Sequence, residues 1–360
     1  MSQESILSYE NNSLILKYKE LFMQKLYNIF LDLRISDIHK KKFLELDTDS
    51  QQKFLFFSDI SSLILRIQST DSQEYLDLLT QELIYYLDDC DFWAHYQWEY
   101  IAWTTIRLTM EDNNPDNNII SAPSQNQETV LWWWEKTQEE WNQVLSRAFQ
   151  IIQSINYGFF IEIQDMVQKI VPMKTSRGIH HSCTYRDCIW TLYIWYTIDA
   201  EFPEFHIIEA LIHESSHNKL NLILQSEELY ENNTGDLYYS PYRPDARPLH
   251  GVFIGVHALV PSIYILLQAI EKEIITDTKW KQKILLYHIK NKLWYNVVKK
   301  FLQPTTLWSI MVSDIEIVMK KCDELIHSLH LVQELDIAEI QKRAKKHFID
   351  VKNSYPMVKY

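Results

Sequence analysis

Apolar residues recur at helical spacing along most of the chain. Between positions 13 and 109 they stand three or four residues apart, as in Ile60, Leu63 and Ile67. The same spacing returns from position 277 to the end. This is the pattern of amphipathic helices that share a core, so the sequence predicts a mostly helical, multi-helix globular protein.

Two kinds of interruption divide this pattern. Residues 111–128 are polar, contain two prolines and have no helical period, which is typical of a linker. We therefore predict an N-terminal helical lobe over 1–128, a catalytic core over 129–275, and a C-terminal helical region over 276–360 packed on that core. Within the core, the run from Cys188 to Tyr196 is rich in Ile, Trp, Thr and Tyr and predicts a short strand.

A helix is predicted directly after this strand, from Pro203 to about Gln225. A strand in that place can hold an extended peptide by edge pairing.

The apolar run from Leu249 to Ile270 is long enough to span a membrane. Its histidines and Pro261 favour a buried core helix instead.

Composition narrows the function classes. The chain has a formal net charge of -13 and no basic stripe in its sequence, which disfavours nucleic acid as a partner. The N-terminus has neither an apolar h-region nor a cleavage site, so we expect a cytoplasmic protein with no membrane partner. Four cysteines in 360 residues do not make a disulfide framework. Three of only five glycines lie between 235 and 255, which predicts a close backbone approach at Gly251 and Gly255.

The predicted helix after the strand carries an HExxH motif. His213 and His217 stand one turn apart on one face, with Glu214 beside them, which is a metal-binding arrangement. Further downstream, His250 and His257 are seven positions apart and also share a helix face. The sequence therefore predicts a metal site.

Two chemistries compete at this site. In a zinc hydrolase, Glu214 is the general base for a metal-bound water, and a third ligand completes the site. In a non-haem iron oxygenase, a third imidazole joins the pair and a 2-oxo acid co-substrate needs a fixed cation. Arg247 supplies that cation. Its neighbours Arg243, Tyr239 and Ser240 complete the candidate co-substrate site.

Three segments together carry a family resemblance: SCTYRDCIWTLYI, IIEALIHESSHNKL and YYSPYRPDARPLHGVFIGVHAL. Over roughly residues 180–265 the chain resembles the HExxH-motif family of peptide-modifying enzymes, which includes 2-oxoglutarate-dependent peptide β-hydroxylases. The resemblance implies Fe(II), 2-oxoglutarate as co-substrate, and β-carbon hydroxylation in a ribosomally synthesised precursor peptide during natural-product maturation.

The resemblance also assigns residues. It implies iron at His213 and His217, with His257 as the third ligand and His250 in reserve, and Arg247 as the anchor of the 2-oxoglutarate carboxylate. A zinc-dependent metallopeptidase with Glu214 as general base is the alternative. The chain departs from the family pattern at Trp190 and Thr191, where a small residue such as glycine is expected.

Overall fold

The computed structural model describes residues 13–33, 35, 37–88, 100–109, 137–172, 182–194, 202–228, 235–243, 245–334 and 337–359. The helices are α1 (Ser13–Asp32), α2 (Asp37–Leu44), α3 (Thr48–Phe56), α4 (Ser58–Ser69), α5 (Gln73–Asp88), α6 (Gln138–Ile155), α7 (Tyr157–Met166), α8 (Pro203–Leu224), α9 (Leu249–Glu271), α10 (Thr278–Phe301), α11 (Thr306–Ser328), α12 (Leu331–Glu334) and α13 (Ile337–Ser354). The strands are β1 (Arg107–Leu108), β2 (Lys169–Pro172), β3 (Ser182–Cys183), β4 (Thr191–Ile194), β5 (Leu237–Tyr238) and β6 (Arg247–Pro248). The predicted mostly helical fold is confirmed.

The first four of these strands form one small sheet in the order β1-β2-β4-β3. β2 is parallel to β1 and to β4, whereas β3 is antiparallel to β4. The predicted strand before the HExxH helix is present as β4. It pairs with β2 along its whole length and with β3 at Tyr193 and Ile194. Within the described residues, β3 is therefore the strand at that end of the sheet.

The turn before β4 explains the unusual residue in this segment. Trp190 is completely buried and has φ +75°, in the left-handed region where glycine is favoured. Its carbonyl oxygen accepts hydrogen bonds from the backbone N–H groups of Gln168 (2.8 Å) and Lys169 (3.1 Å). The family pattern expects a small residue at this position. The backbone there has the conformation that favours glycine, and a buried tryptophan occupies it.

A charged cluster fastens α4 to this sheet. Asp59 on α4 makes ion pairs with Lys169 of β2 and, at 3.1 Å, with Arg107 of β1. Arg107 also donates to the hydroxyl of Ser58 at 2.7 Å. Both cations are buried, and buried charges are tolerated only when they are paired in this way.

The centre of the molecule is formed by α8, α9 and α10. By length and apolar composition α9 qualifies as a candidate membrane span, and 83% of that apolar window is buried inside the molecule. Its predicted place as a core helix is confirmed. At Gly255, an added Cβ would stand 2.0 Å from Cη2 of Trp294, so α9 and α10 approach each other through this glycine. At Gly251 the nearest such contact is an ordinary 3.7 Å, so only Gly255 needs to be glycine for packing.

One cluster of buried apolar side chains runs from Ile15 on α1 to Ile340 on α13. The predicted boundary near 275 falls in the connection between α9 and α10. The boundary near 128 lies outside the described residues. The division into three regions therefore stays a prediction, within a molecule whose apolar core is shared.

Candidate metal centre

The HExxH residues lie on α8, the helix that the pattern predicts. Pro203 occupies its first turn, and Ile207, Leu211 and Leu222 bury one face in the core. The opposite face presents His213 and His217, whose Nε2 atoms are 3.0 Å apart and whose rings are perpendicular. Two nitrogens held about 2.1 Å from one ion at a right angle lie about 3 Å apart, so this spacing matches two ligands of one metal.

Both imidazoles are held neutral. Burial, followed by the charge of Arg243, lowers the pKa of His213 to about 4. Burial, with smaller effects of His213, His257 and Arg243, lowers the pKa of His217 well below its ordinary value. A neutral imidazole carries the lone pair that a metal binds. One proton or one shared cation is needed between the two Nε2 atoms.

The third ligand is not assembled with this pair. Among the described residues, no three His, Cys, Asp or Glu side chains converge as a metal site. His257 on α9 is completely buried, and neither of its ring nitrogens has a hydrogen-bond partner in the described part of the chain. Burial and then the charge of Lys219 lower the pKa of His257 to about 3. The residues thus fit two ligand positions, with a neutral, unpartnered imidazole in the adjoining core.

A cavity of about 750 Å³ opens onto the histidine pair. The sequence-predicted residues His213, Glu214, His217, Ser240, Arg243 and Arg247 all line it. His257 and His250 are not among its lining residues. The structure therefore brings together six of the candidate residues around one cavity, and neither downstream histidine lines it.

Glu214 is oriented by a hydroxyl from the sheet. Oγ of Ser182 on β3 donates to Oε1 of Glu214 at 2.6 Å, and Oε2 is buried with no hydrogen-bond partner in the described part of the chain. Burial raises the pKa of Glu214 to about 7, against the opposing effects of Ser182 and Arg243. The carboxyl group can therefore accept or donate a proton near neutral pH. Ser182 was missed from sequence because strand pairing, not spacing, brings it here.

The two arginines differ in how their charges are balanced. Nε of Arg247 lies 2.8 Å from Oδ2 of Asp245. Arg243 has no ion pair or side-chain hydrogen bond within the described ranges, and its charge reaches both histidines and Glu214. Asp245 and Glu214 act on Arg243 through their charges, and Arg243 is a cavity cation with no direct carboxylate partner among the described residues.

Tyr239 was grouped with these residues from sequence but faces elsewhere. Its hydroxyl lies 3.2 Å from Nδ1 of His347, and its ring packs against Phe348 on α13. Tyr242 lines the cavity instead, and its hydroxyl donates to the backbone oxygen of Tyr287 at 2.6 Å. Its ring centroid is 5.1 Å from that of Trp294. Tyr242, Tyr287 and Trp294 make an aromatic wall that sequence reasoning did not identify.

At another part of the cavity, Glu209 accepts a 2.7 Å hydrogen bond from Lys283 on α10. Lys283 also lies 4.2 Å from the ring centroid of Trp280. Glu209 lies one turn before His213 on α8, a position from which a carboxylate can orient a metal-bound imidazole. Its contact in the structure is with the ammonium of Lys283, which neutralises both charges.

A buried ion pair fixes α8 from behind. Nζ of Lys219 is 2.7 Å from Oε1 of Glu162 on α7, and both side chains are almost completely buried. Beside them, Asn218 donates to the backbone oxygen of Met166 at 3.1 Å. These contacts attach α8 to α7 on the side of α8 that faces away from the histidine pair.

Fold and site together define a helical protein with a two-histidine candidate metal centre on an HExxH helix. A scan against protein-family models gives no match for this chain, and a search of curated proteins gives none either. The functional argument is therefore carried by the residues of the site.

Proposed function

We propose that this chain is an Fe(II)- and 2-oxoglutarate-dependent oxygenase that hydroxylates a side-chain β-carbon in a ribosomally synthesised precursor peptide. The observation that carries the proposal is the pairing of two neutral imidazoles, 3.0 Å apart, with Arg243 in one cavity, a cation that has no direct ion pair among the described residues. A hydrolase needs no second anionic reactant, whereas a 2-oxo acid brings a carboxylate that requires such a cation.

His213 and His217 would hold the iron, and His257 remains the predicted third ligand. When bound, iron supplies the activation of dioxygen, and the overall reaction converts peptide, O₂ and 2-oxoglutarate into hydroxypeptide, succinate and CO₂. The protein keeps both imidazoles neutral by burial and so leaves their lone pairs available.

Arg243 is our first candidate for the anchor of the remote 2-oxoglutarate carboxylate. The family resemblance assigns this role to Arg247, but the Asp245 carboxylate already lies 2.8 Å from Arg247. Ser240 is completely buried beside the cavity, and its hydroxyl has no hydrogen-bond partner among the described residues. Arg243 and Ser240 together supply a charged and a neutral donor for one carboxylate.

A peptide is the substrate class that the cavity favours. Its volume of about 750 Å³ exceeds the needs of 2-oxoglutarate alone, and the aromatic wall of Tyr242, Tyr287 and Trp294 suits an apolar or aromatic side chain. β3 ends the sheet at this cavity through Ser182. An extended peptide that pairs with β3 passes directly over Glu214.

A zinc-dependent metallopeptidase is the second candidate, and one observation favours it. Glu214 has a pKa raised to about 7 beside the histidine pair, which is the property required of a general base for a metal-bound water. Both candidates use the same two histidines, and they differ in whether Arg243 and dioxygen are needed.

The deciding experiment is anaerobic reconstitution with Fe(II), followed by addition of O₂, 2-oxoglutarate and peptides encoded beside the gene. We expect mass spectrometry to show one added oxygen atom per peptide, with stoichiometric succinate. Peptide cleavage with no added oxygen, in the absence of 2-oxoglutarate, contradicts the oxygenase and supports the peptidase.

The two arginines are compared in the same assay. We expect Arg243→Ala to raise the half-saturating 2-oxoglutarate concentration by about tenfold or more, because a carboxylate loses its charged partner. Arg247→Ala is the matched control, and a smaller effect is expected because the Asp245 carboxylate, 2.8 Å from its Nε, already offsets its charge. Equal bound iron in both variants separates anchoring from metal loss. The reverse order of effects restores the role to Arg247.

A further inference from the structure

A second concave surface lies between α10 and α13, outside the metal centre. It is a groove of about 630 Å³, lined chiefly by apolar side chains. These include Ile289, Leu293, Val297, Ala344 and Phe348. Leu293 is 38% exposed at this surface. Apolar surface of this kind, rimmed by polar residues, is typical of a binding site.

The helices that form this groove are strongly basic in an acidic protein. α10 contains seven lysines and no acidic residue. α13 contains four lysines and one arginine against two acidic residues. The two helices therefore carry an excess of ten positive charges, although the chain as a whole has a formal net charge of -13.

Part of this positive charge is balanced by neighbouring acids. Lys283 pairs with Glu209, Lys292 with Asp323, and Lys299 with Glu316. No acidic side chain is among the described residues that line the groove itself. Lys300 of α10 and Lys345 of α13 both line it. Lys345 lines the groove and has no ion pair within the described residues. Like charges gathered in this way are stabilised by an anionic partner.

The groove shares its wall with the catalytic cavity. Leu293 lines the groove, and the next residue, Trp294, lines the cavity. The same holds for Tyr239, which lines the groove, and Ser240, which lines the cavity. A chain bound in the groove is therefore held one helix away from the metal centre.

We propose that the groove between α10 and α13 binds an acidic, amphipathic segment of the peptide substrate, at a distance from the residue that is modified. This rests on the proposed function, because it assigns the groove to the same peptide. Apolar side chains at i, i+3, i+4 and i+7 of a bound helix enter the groove, and its acidic side chains face the lysines. Nucleic acid has no such apolar face, and a flat membrane surface does not enter a concave groove.

The test is fluorescence anisotropy with the full chain, in the absence of metal and 2-oxoglutarate. The probe is a fluorescein-labelled synthetic helix with leucines at i, i+3, i+4 and i+7 and glutamates elsewhere. We expect saturable binding that weakens as salt is raised, and no binding of the same helix with lysines in place of glutamates. Lys300→Glu/Lys345→Glu should weaken binding by about tenfold or more.

Matched variants keep this test specific. Lys346→Glu changes the charge of the neighbouring α13 residue, which does not line the groove, and should alter binding by about twofold at most. Leu293→Glu should abolish binding by placing a charge in the apolar groove. An equal loss with Lys346→Glu, or preferential binding of a single-stranded oligonucleotide or anionic vesicles, overturns the proposal.

The outcome is separable from the proposed function because the binding assay requires no turnover. If the acidic helix does not bind while the encoded peptides are hydroxylated normally, the groove assignment fails alone. If the acidic helix binds and the reconstituted protein shows no oxygen incorporation, the oxygenase proposal fails alone.

Discussion

Glu214 is the residue whose chemistry separates the two candidate functions. A peptidase needs its carboxylate to take a proton from a metal-bound water, and loss of a general base costs about 100-fold to 10,000-fold in rate. Glu214→Gln retains an oxygen that can accept from Ser182. We therefore expect this variant to bind iron as the wild type does and to keep 2-oxoglutarate turnover within about tenfold.

Two measurements check this expectation: succinate formation and iron content of the purified protein. Ser182→Ala is the companion variant, since it removes the 2.6 Å hydrogen bond but leaves the carboxyl group in place. A loss of turnover of about 1,000-fold in Glu214→Gln with normal iron content contradicts the oxygenase assignment.

Whether two residues of the site can be predicted to meet depends on how far apart they lie in the sequence. His213 and His217 lie four residues apart on one helix, so spacing alone predicts that they meet. Ser182 and Trp294 reach the same cavity through strand pairing and helix packing, which no local pattern encodes. Tyr239 was grouped with Ser240 by adjacency, yet neighbouring residues outside a helix often face opposite sides, as these two do.

At the scale of elements, the packing of α9 on α10 depends on one glycine. Gly255→Ala places a Cβ 2.0 Å from the Trp294 ring, which is buried and has little room to move. We expect a loss of about 3 kcal/mol in the free energy of unfolding, because overpacking forces the helices apart. Denaturant titration measures this value.

Gly251→Ala is the matched control, four residues or about one helical turn nearer the start of α9. Its added Cβ meets Arg247 at an ordinary 3.7 Å. Alanine is the better helix former by about 0.5–1 kcal/mol, so this variant should be neutral or slightly more stable. Equal destabilisation of the two variants shows that the close approach at Gly255 does not limit stability.

The attachment of α4 to the sheet has a pH signature. Burial alone would raise the pKa of Asp59, but the charges of Lys169 and Arg107 lower it from 3.8 to about 2. A lowered carboxyl pKa stabilises the folded state above the unfolded value and loses that effect as pH falls towards 2. We expect Asp59 to contribute on the order of 2 kcal/mol at neutral pH, lost between about pH 4 and 2.

Asp59→Asn should destabilise the protein at pH 7 and differ little from wild type near pH 2, as measured by urea titration at both pH values. Asp49→Asn is the control, because that carboxylate is 73% exposed in a surface pair with Lys53. A constant difference between wild type and Asp59→Asn across this pH range argues against an electrostatic role.

Elements were the most predictable level of this fold. The 3.6-residue period and Pro203 predict α8, and the polar residues within the apolar run predict that α9 is a core helix. Strand partners were not predictable, because the pairs of β2 with β1 and β4 join segments far apart in sequence. The left-handed backbone at Trp190 was not predictable for a related reason. The sequence does not show the surrounding core that accommodates a tryptophan at this position.

At the scale of the whole molecule, average charge conceals a local feature. A net charge of -13 disfavours an anionic partner, yet α10 and α13 concentrate positive charge around one groove. The seven lysines of α10 are already a basic segment in the sequence, which the average charge of the chain conceals. The sequence does not show that α13 packs beside α10, because α11 and its acidic residues lie between them in the chain.

Metal binding should be visible in the stability of the entire molecule, because one apolar core joins α8 to the surrounding helices. A ligand that binds only the folded state stabilises it by about 4 kcal/mol at a thousand times its dissociation constant. For a chain of 360 residues this raises the unfolding midpoint by about 5 °C. We expect this shift with Fe(II) under anaerobic conditions, its loss in His213→Ala/His217→Ala, and its retention in His327→Ala, an exposed histidine on α11. His257→Ala should reduce the shift if that imidazole turns towards the pair, whereas an unchanged shift removes it as the third ligand. An equal shift in the double variant places the metal elsewhere.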